Sequence, residues 1–145
     1  MSKYLKIQTQ FKDEAALIEA LQACGFEFEC GEALALYGYQ GDARPEKAEI
    51  VIRRHNISSC ANDLGFARQP DGSYGVIISE FDSRNRGAEM VKQAKQKYAR
   101  IKVERMAKAR GLEVREVSDN GSIRLQLVQP KQSRTRRELR VGLRR

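Results

Sequence analysis

The chain has 145 residues and a formal net charge of +8, with 41% apolar and 32% charged side chains. This length and composition indicate one globular domain and argue against a disordered or membrane protein. No apolar run approaches the roughly 20 residues of a membrane-spanning helix, and residues 1–11 lack the apolar core of a signal peptide. We therefore expect a protein of the cytoplasm or another reducing compartment.

The first part of the chain predicts a strand, a helix and a hairpin. Residues 4–11 alternate between apolar and polar side chains, as in a half-buried strand. Asp13 has the position and chemistry of a helix N-cap, and Gly25 stands where that helix would end. The segments 26–30 and 33–40 then predict two short strands, with Gly31 and Glu32 between them.

The middle of the chain has weaker patterns. Residues 41–47 contain Pro45 and predict a loop, whereas residues 48–54 form an apolar, β-branched run typical of a central strand. Residues 55–65 show no regular pattern. A turn is predicted at residues 70–72, followed by a strand over residues 74–81.

The last part of the body repeats the order of the first. Residues 84–110 lack proline and predict one long helix, and residues 112–129 predict a hairpin that turns at Asn120-Gly121. We therefore expect an α+β fold, with a mainly antiparallel sheet, two helices on one face and two strand-helix-hairpin halves. Chance similarity of short elements is the alternative explanation of the two halves. We assign residues 1–130 to a single domain and residues 131–145 to a basic tail, disordered when free.

Within the long helix, a stripe of apolar side chains predicts the face that packs on the core. At 100° per residue this stripe follows Tyr98. It contains Met90, Val91, Ala94, Ile101, Met106 and Ala109.

Charge is unevenly distributed along the chain. Residues 1–83 carry 8 basic and 13 acidic side chains, residues 84–110 carry 10 and 2, and residues 131–145 carry 7 and 1. The long helix and the tail therefore predict a surface for polyanions or an acidic partner. The candidate binding residues are Lys92, Lys95, Arg100, Lys102, Arg105, Lys108, Arg134, Arg136, Arg137 and Arg140.

Two tyrosines are candidates for stacking against nucleic-acid bases. Tyr37 and Tyr39 lie two residues apart, so on a strand they would share one face. Core packing explains the same spacing equally well.

The sequence contains few residues that suggest catalysis. Cys24, Cys30 and Cys60 include no CxxC pair, so we expect free, buried thiols instead of disulfides or zinc ligands. His55 is the only histidine, and with Cys60 it could form an activated thiol; a surface histidine is the simpler interpretation. Phosphate-loop, zinc and EF-hand spacings are absent, and we expect no metal and no cofactor.

Three sequence blocks resemble a known family. They are YGYQGDARPEKAEIVIR, DLGFARQPDGSYGVI and KYARIKVERMAKARGLEVREVSDNGSIRLQL, and in this order they resemble the hypothetical chloroplast reading frame 35 family. The resemblance covers roughly residues 1–128 and rests on the order and spacing of the blocks. It implies a cyanobacterial or plastid-like protein of the cytoplasm or plastid stroma, without an assigned activity. It also implies no catalytic residue, and some bacterial relatives resemble accessory members of gene clusters.

These observations favour a non-enzymatic binding or adaptor module that engages an acidic macromolecule, with an acidic protein favoured as the partner. The alternative is a sequence-tolerant RNA- or DNA-binding accessory protein, and a cysteine-dependent enzyme is a distant third. We expect no membrane partner. A homo-oligomer is a further possibility, since the basic helix could pair with the acidic first half of a second copy.

Overall fold

The computed structural model describes residues 2–130 and confirms the α+β class. The predicted tail, residues 131–145, lies outside the described residues, as do its four candidate arginines. The chain divides into two compact units, one ending at Tyr98 and one beginning at Ala99. The elements are β1 (Tyr4–Phe11), α1 (Glu14–Ala23), β2 (Glu29–Tyr37), β3 (Ala43–Ile52), β4 (Leu64–Arg68), β5 (Tyr74–Ser79), α2 (Arg86–Ala109), β6 (Glu113–Asp119) and β7 (Ser122–Val128).

The first unit is built on a five-stranded antiparallel sheet with the strand order β1-β5-β4-β3-β2. This sheet is strongly curved. Arg44, near the start of β3, donates a 3.0 Å hydrogen bond to the backbone oxygen of Ser2 and lies over the ring of Tyr4. Strands β3 and β1 are separated by β4 and β5, so only a curved sheet can bring them together.

One face of this sheet is covered by helices. Register places Phe66 of β4 on the same face as Val76 and Ile78 of β5. At the end of β1, Phe11 makes edge-to-face contacts with both Phe66 and Tyr98, with ring centroids 6.1 and 5.0 Å apart. The predicted packing of both helices on one face is therefore observed for α1 and the first half of α2.

The other face has an apolar cluster of its own. It consists of side chains from four of the five strands and is formed by Tyr4, Leu36, Ala48, Val51 and Ile77, all buried. Apolar side chains on both faces of β3 explain its continuous apolar run near Ile50, Val51 and Ile52.

Helix α1 begins and ends as predicted. The Oδ1 atom of Asp13 accepts a 3.0 Å hydrogen bond from the backbone N–H of Ala16, which is the N-cap arrangement. At the other end Gly25 has a φ of +79°, and the backbone N–H of Phe26 binds the carbonyl of Leu21. This left-handed residue closes the helix in a Schellman motif.

The structure differs from the sequence-based prediction in the middle of the chain. Strand β2 runs through Gly31 without a break, so the first hairpin is β2–β3 and does not lie within residues 26–40. Strand β3 begins at Ala43, although Pro45 predicted a loop there. Proline is tolerated because β4 pairs with β3 only from Ile50 onward, which leaves one side of β3 unpaired at Pro45. The five-residue strand β4 was missed altogether.

Helix α2 confirms the predicted long helix. Met90, Val91, Ala94, Tyr98 and Ile101 are buried, as the apolar stripe predicted. The stripe ends there, because Met106 and Ala109 are exposed. None of the helices within residues 2–130 is both long and apolar enough to cross a membrane.

The second unit contains the end of α2 and the hairpin β6–β7. The predicted turn is confirmed, since Asn120 and Gly121 both have positive φ values, of 49° and 82°. Arg100 of α2 forms an ion pair with Glu116 of β6. The first hairpin joins the five-stranded sheet, whereas β6–β7 forms a separate two-stranded sheet.

Candidate partner-binding surface

Helix α2 exposes five of the ten predicted binding residues. Lys92, Lys95, Lys102, Arg105 and Lys108 are all exposed. Helix α2 has 24 residues, and an α-helix rises about 1.5 Å per residue, so these side chains are spread along its length. These five candidate binding residues are therefore accessible to a partner.

The acidic residues of α2 are already paired. Glu89 lies 3.2 Å from the guanidinium of Arg86, and Glu104 lies 2.6 Å from that of Arg100. Arg100 also pairs with Glu116, so this predicted binding residue is engaged within the second unit. Within residues 2–130, by contrast, Lys92, Lys95 and Lys108 form no ion pair.

The two candidate stacking residues differ in their placement. Tyr37 is the last residue of β2, whereas Tyr39 lies in the turn that follows, so they do not share a strand face. The guanidinium of Arg53 lies over the Tyr37 ring, 5.7 Å from its centroid. One face of that ring is therefore covered, which leaves less surface for a base.

A buried network around Asp63 was not anticipated as a structural feature. Asp63 is only 2% exposed, and its carboxylate accepts hydrogen bonds from Arg53 Nη1 at 2.7 Å, from Tyr37 N at 2.9 Å and from Arg54 N at 2.8 Å. Tyr4 donates a 2.7 Å hydrogen bond to the Asp63 carbonyl. Asp63 therefore acts as a structural carboxylate that joins β1, β2 and the end of β3.

Arg53 uses its remaining donors on β2. Its Nε and Nη2 atoms bind both carboxylate oxygens of Glu29, at 2.9 and 3.1 Å, and Nη1 also donates to the carbonyl of Ala35. The hydrogen bond from Arg53 lowers the pKa of Glu29, and the same contact raises the pKa of Arg53. These contacts leave Arg53 little capacity to bind an external anion.

The neighbouring Asn62 is the centre of a second buried polar group. Its side-chain amide donates to Ser79 Oγ, and its backbone N–H donates to Asp82 Oδ2, both at 2.9 Å. Its Oδ1 atom accepts from the backbone N–H of Tyr39. The Asn62-Asp63 dipeptide thus fixes the unpatterned segment between β3 and β4, although two adjacent polar residues carry no periodic signal.

The structure gives little support to thiol chemistry. All three cysteines are free, as expected, but the expectation that they are buried is wrong: Cys24 is half-buried, and Cys30 and Cys60 are exposed. The Sγ atom of Cys60 lies 3.8 Å from Ser59 Oγ. Within residues 2–130 no hydrogen bond joins Cys60 to His55, which is itself exposed in a short turn of 3₁₀ helix.

An open groove of about 640 Å³ lies between the start of α1 and the ends of β2 and β4. Its lining includes Glu14, Glu32 and Glu49 together with Arg68 and the thiol of Cys30. Arg68 is paired with Glu14 and also donates to the Tyr74 hydroxyl at 2.9 Å. Desolvation of the thiol by the groove, and to a smaller extent the charge of Glu14, raise the pKa of Cys30, which disfavours the reactive thiolate.

The part of the chain that the structure describes contains no group of three or more His, Cys, Asp or Glu side chains arranged to hold a metal ion.

Comparison with known proteins identifies a family. A family model described as "Protein of unknown function (DUF1257)" matches residues 20–127, from α1 to β7. No curated protein and no solved structure gives a match. The matched region includes every lysine of α2 and agrees with the expected membership of an uncharacterised family. Because the model covers well over half of its length, the chain belongs to the DUF1257 family of proteins of unknown function.

Proposed function

We propose that this protein is a non-catalytic binding or adaptor module, and that exposed basic residues of α2 engage an acidic protein. The observation that carries the proposal is the pair of exposed lysines Lys92 and Lys95, about one helical turn apart, which form no ion pair within residues 2–130. The acids of the same helix are paired with Arg86 and Arg100. An acidic surface on a partner would supply the missing counter-charges.

Two observations favour a protein over a nucleic acid as the partner. A single-strand binding surface combines cationic groups with aromatic rings that stack on bases. Tyr37 and Tyr39 were the candidate rings, and Arg53 covers one face of Tyr37 while Tyr39 lies in a turn. A pair of exposed lysines on a helix suits steering and docking of an acidic protein, which needs no such rings.

The proposed affiliation within the family is with the hypothetical chloroplast reading frame 35 proteins. Three sequence blocks support it, within residues 37–53, 63–77 and 97–127. They correspond to the β2–β3 turn with β3, to β4–β5, and to the second half of α2 with β6–β7. With this affiliation we also propose a cyanobacterial or plastid-like protein that acts in the cytoplasm or plastid stroma. Fractionation of the source cell with an antibody to the chain would test the compartment, and recovery in a membrane or secreted fraction would contradict it.

The binding function is tested by charge reversal with a matched control. The test variant is Lys92→Glu/Lys95→Glu, and the control is Lys6→Glu/Lys47→Glu, which changes the net charge equally at exposed positions of β1 and β3. The probes are poly-L-glutamate, as an acidic polypeptide, and a random-sequence RNA and DNA of matched length. Affinities are measured at two salt concentrations, since exposed ion pairs are screened by salt.

We expect the wild type and the control to bind poly-L-glutamate equally and the α2 variant to bind on the order of tenfold more weakly. Equal weakening in both variants would show that only net charge matters and would contradict a surface on α2. Tighter binding of RNA or DNA than of poly-L-glutamate at the same salt concentration would shift the function to the nucleic-acid alternative.

A further inference from the structure

Among the described residues of the second unit, β7 is an edge strand that pairs on one side only. It pairs with β6 in unbroken register, from Ser122 opposite Asp119 to Val128 opposite Glu113. Within the described residues its backbone forms ladder hydrogen bonds with β6 alone. Its outer edge therefore presents backbone donors and acceptors that another strand can pair with.

The edges of the five-stranded sheet are protected in ways that β7 is not. Strand β1 has a register shift between Ile7 and Phe11, and β2 has two such shifts. The outer backbone groups of Tyr37 in β2 are also taken, because its N–H and its carbonyl both bind Asp63. Strand β7 has no proline, no register shift and a single charged residue, Arg124. Such an edge is prone to pairing with another strand.

The same strand carries a row of apolar side chains on one face, with its central residue half-buried. Ile123, Leu125 and Leu127 alternate and share the face that Val114 contributes from β6. Ile123 is 67% exposed and Leu127 is 36% exposed. A two-stranded sheet is only marginally stable by itself, and additional strands with a common apolar face increase its stability.

We propose that β7 is a dimerisation strand, which pairs antiparallel with β7 of a second copy to form a four-stranded sheet. With the two-fold axis at Leu125, Ile123 lies opposite Leu127 of the second copy and Arg124 lies opposite its Gln126. This register joins the apolar rows and places no like charges opposite each other. It is an isologous interface, in which the same patch serves both copies.

The charge of the C-terminal segment determines the direction of pairing. Residues 131–145 continue the chain just after β7 and carry seven basic side chains and one acidic one. In a parallel arrangement the C-terminal segments of the two copies would begin side by side, and their positive charges would repel each other strongly. Antiparallel pairing separates Val128 from its counterpart by six residues, or about 20 Å along the strand, which is beyond the Debye length at physiological salt.

The test uses the full-length chain and measures its mass by light scattering over a range of concentrations. The variants are Ile123→Lys and Leu127→Glu, and the control is Met106→Lys, the same kind of change at an exposed apolar residue of α2. Far-ultraviolet circular dichroism checks that each variant is folded. The proposed dimer surface contains neither Lys92 nor Lys95. A result against dimerisation would therefore leave the proposed binding function unaffected.

We expect the wild type and Met106→Lys to dimerise, and each β7 variant alone to dimerise at least tenfold more weakly. An equimolar mixture of Ile123→Lys and Leu127→Glu should regain dimerisation, because antiparallel pairing at Leu125 sets the new lysine opposite the new glutamate. A monomeric wild type at all concentrations would overturn the proposal. Dimers that persist in both single variants, or a mixture that stays monomeric when both variants are folded, would also overturn it.

Discussion

The Nη1 atom of Arg53 lies 2.7 Å from Oδ2 of Asp63, and this ion pair joins the end of β3 to the residue that precedes β4. Removing one partner of a buried ion pair leaves the other charge without compensation. In this case the backbone N–H groups of Tyr37 and Arg54 would also lose their acceptor. The pair therefore holds together a part of the chain that has little regular secondary structure.

We predict that Asp63→Ala lowers the free energy of unfolding by about 3–5 kcal/mol. Urea denaturation followed by circular dichroism measures this change. Glu32→Ala, which removes an exposed carboxylate from β2, is the control and should change the stability by less than about 0.5 kcal/mol. A similarly small effect of Asp63→Ala would show that Asp63 has no structural role.

The contact between Arg53 and Glu29 predicts a pH-dependent contribution to stability. The hydrogen bond from Arg53 lowers the pKa of Glu29 below its ordinary value of 4.5. A carboxylate whose pKa is lower in the folded state stabilises that state above the unfolded pKa, and this contribution is lost as the pH falls through the folded pKa.

Glu29→Gln should therefore be less stable than the wild type at pH 7, and the difference should shrink steadily below pH 4.5. Since the Glu29 side chain is 54% exposed, the difference at pH 7 should stay below about 1 kcal/mol. Urea denaturation of both proteins at several pH values between pH 7 and pH 3 gives this difference. A difference that is independent of pH would contradict the role of the Glu29 charge.

Tyr98 joins α2 to the start of α1 through its hydroxyl group. The hydroxyl oxygen accepts hydrogen bonds from the backbone N–H groups of Lys12 and Asp13, both at 3.1 Å. Tyr98→Phe keeps the ring contact with Phe11 but removes this acceptor. Because partly buried donors lose their partner, we predict a loss of about 1–3 kcal/mol in the free energy of unfolding.

Tyr37→Phe is the matched control, since no hydrogen bond within residues 2–130 involves the Tyr37 hydroxyl. Thermal and urea denaturation of both variants measure the effect. Equal stabilities of Tyr98→Phe and Tyr37→Phe would show that the hydroxyl of Tyr98 contributes nothing to the attachment of α2.

Local signals in the sequence predicted the elements whose ends are set by nearby residues. Asp13 and Gly25 define α1, and Asn120-Gly121 defines the second hairpin, because caps and tight turns act over a few residues. Strand β4 could not be found in this way. Its five residues are held by pairing with β3 and β5 and by Asp63, all contacts that the pattern of a short segment does not contain.

The candidate surface was predictable in part. The position of lysines on α2 follows from the helical period, so the exposure of Lys92 and Lys95 could be read from the sequence. The pairing of Arg100 with Glu116 could not, since it depends on where the second hairpin packs. The placement of Tyr39 outside β2 likewise depends on its hydrogen bond to Asn62, 23 residues away in the chain.

Deletion of residues 131–145 provides a test of how the tail and α2 share the proposed function. The elements β1 to β7 all lie before residue 131, and the ion pairs described within residues 2–130 do not need the tail. The deletion removes seven basic side chains and one acidic one, so it lowers the net charge by six. We predict an unchanged thermal unfolding midpoint and weaker binding to poly-L-glutamate, with a smaller dependence on salt concentration.

Replacing the seven basic residues of the tail by glutamine keeps its length and should weaken binding to the same extent. Loss of folding on deletion would place the end of the domain beyond residue 130, and unchanged binding would restrict the surface to α2.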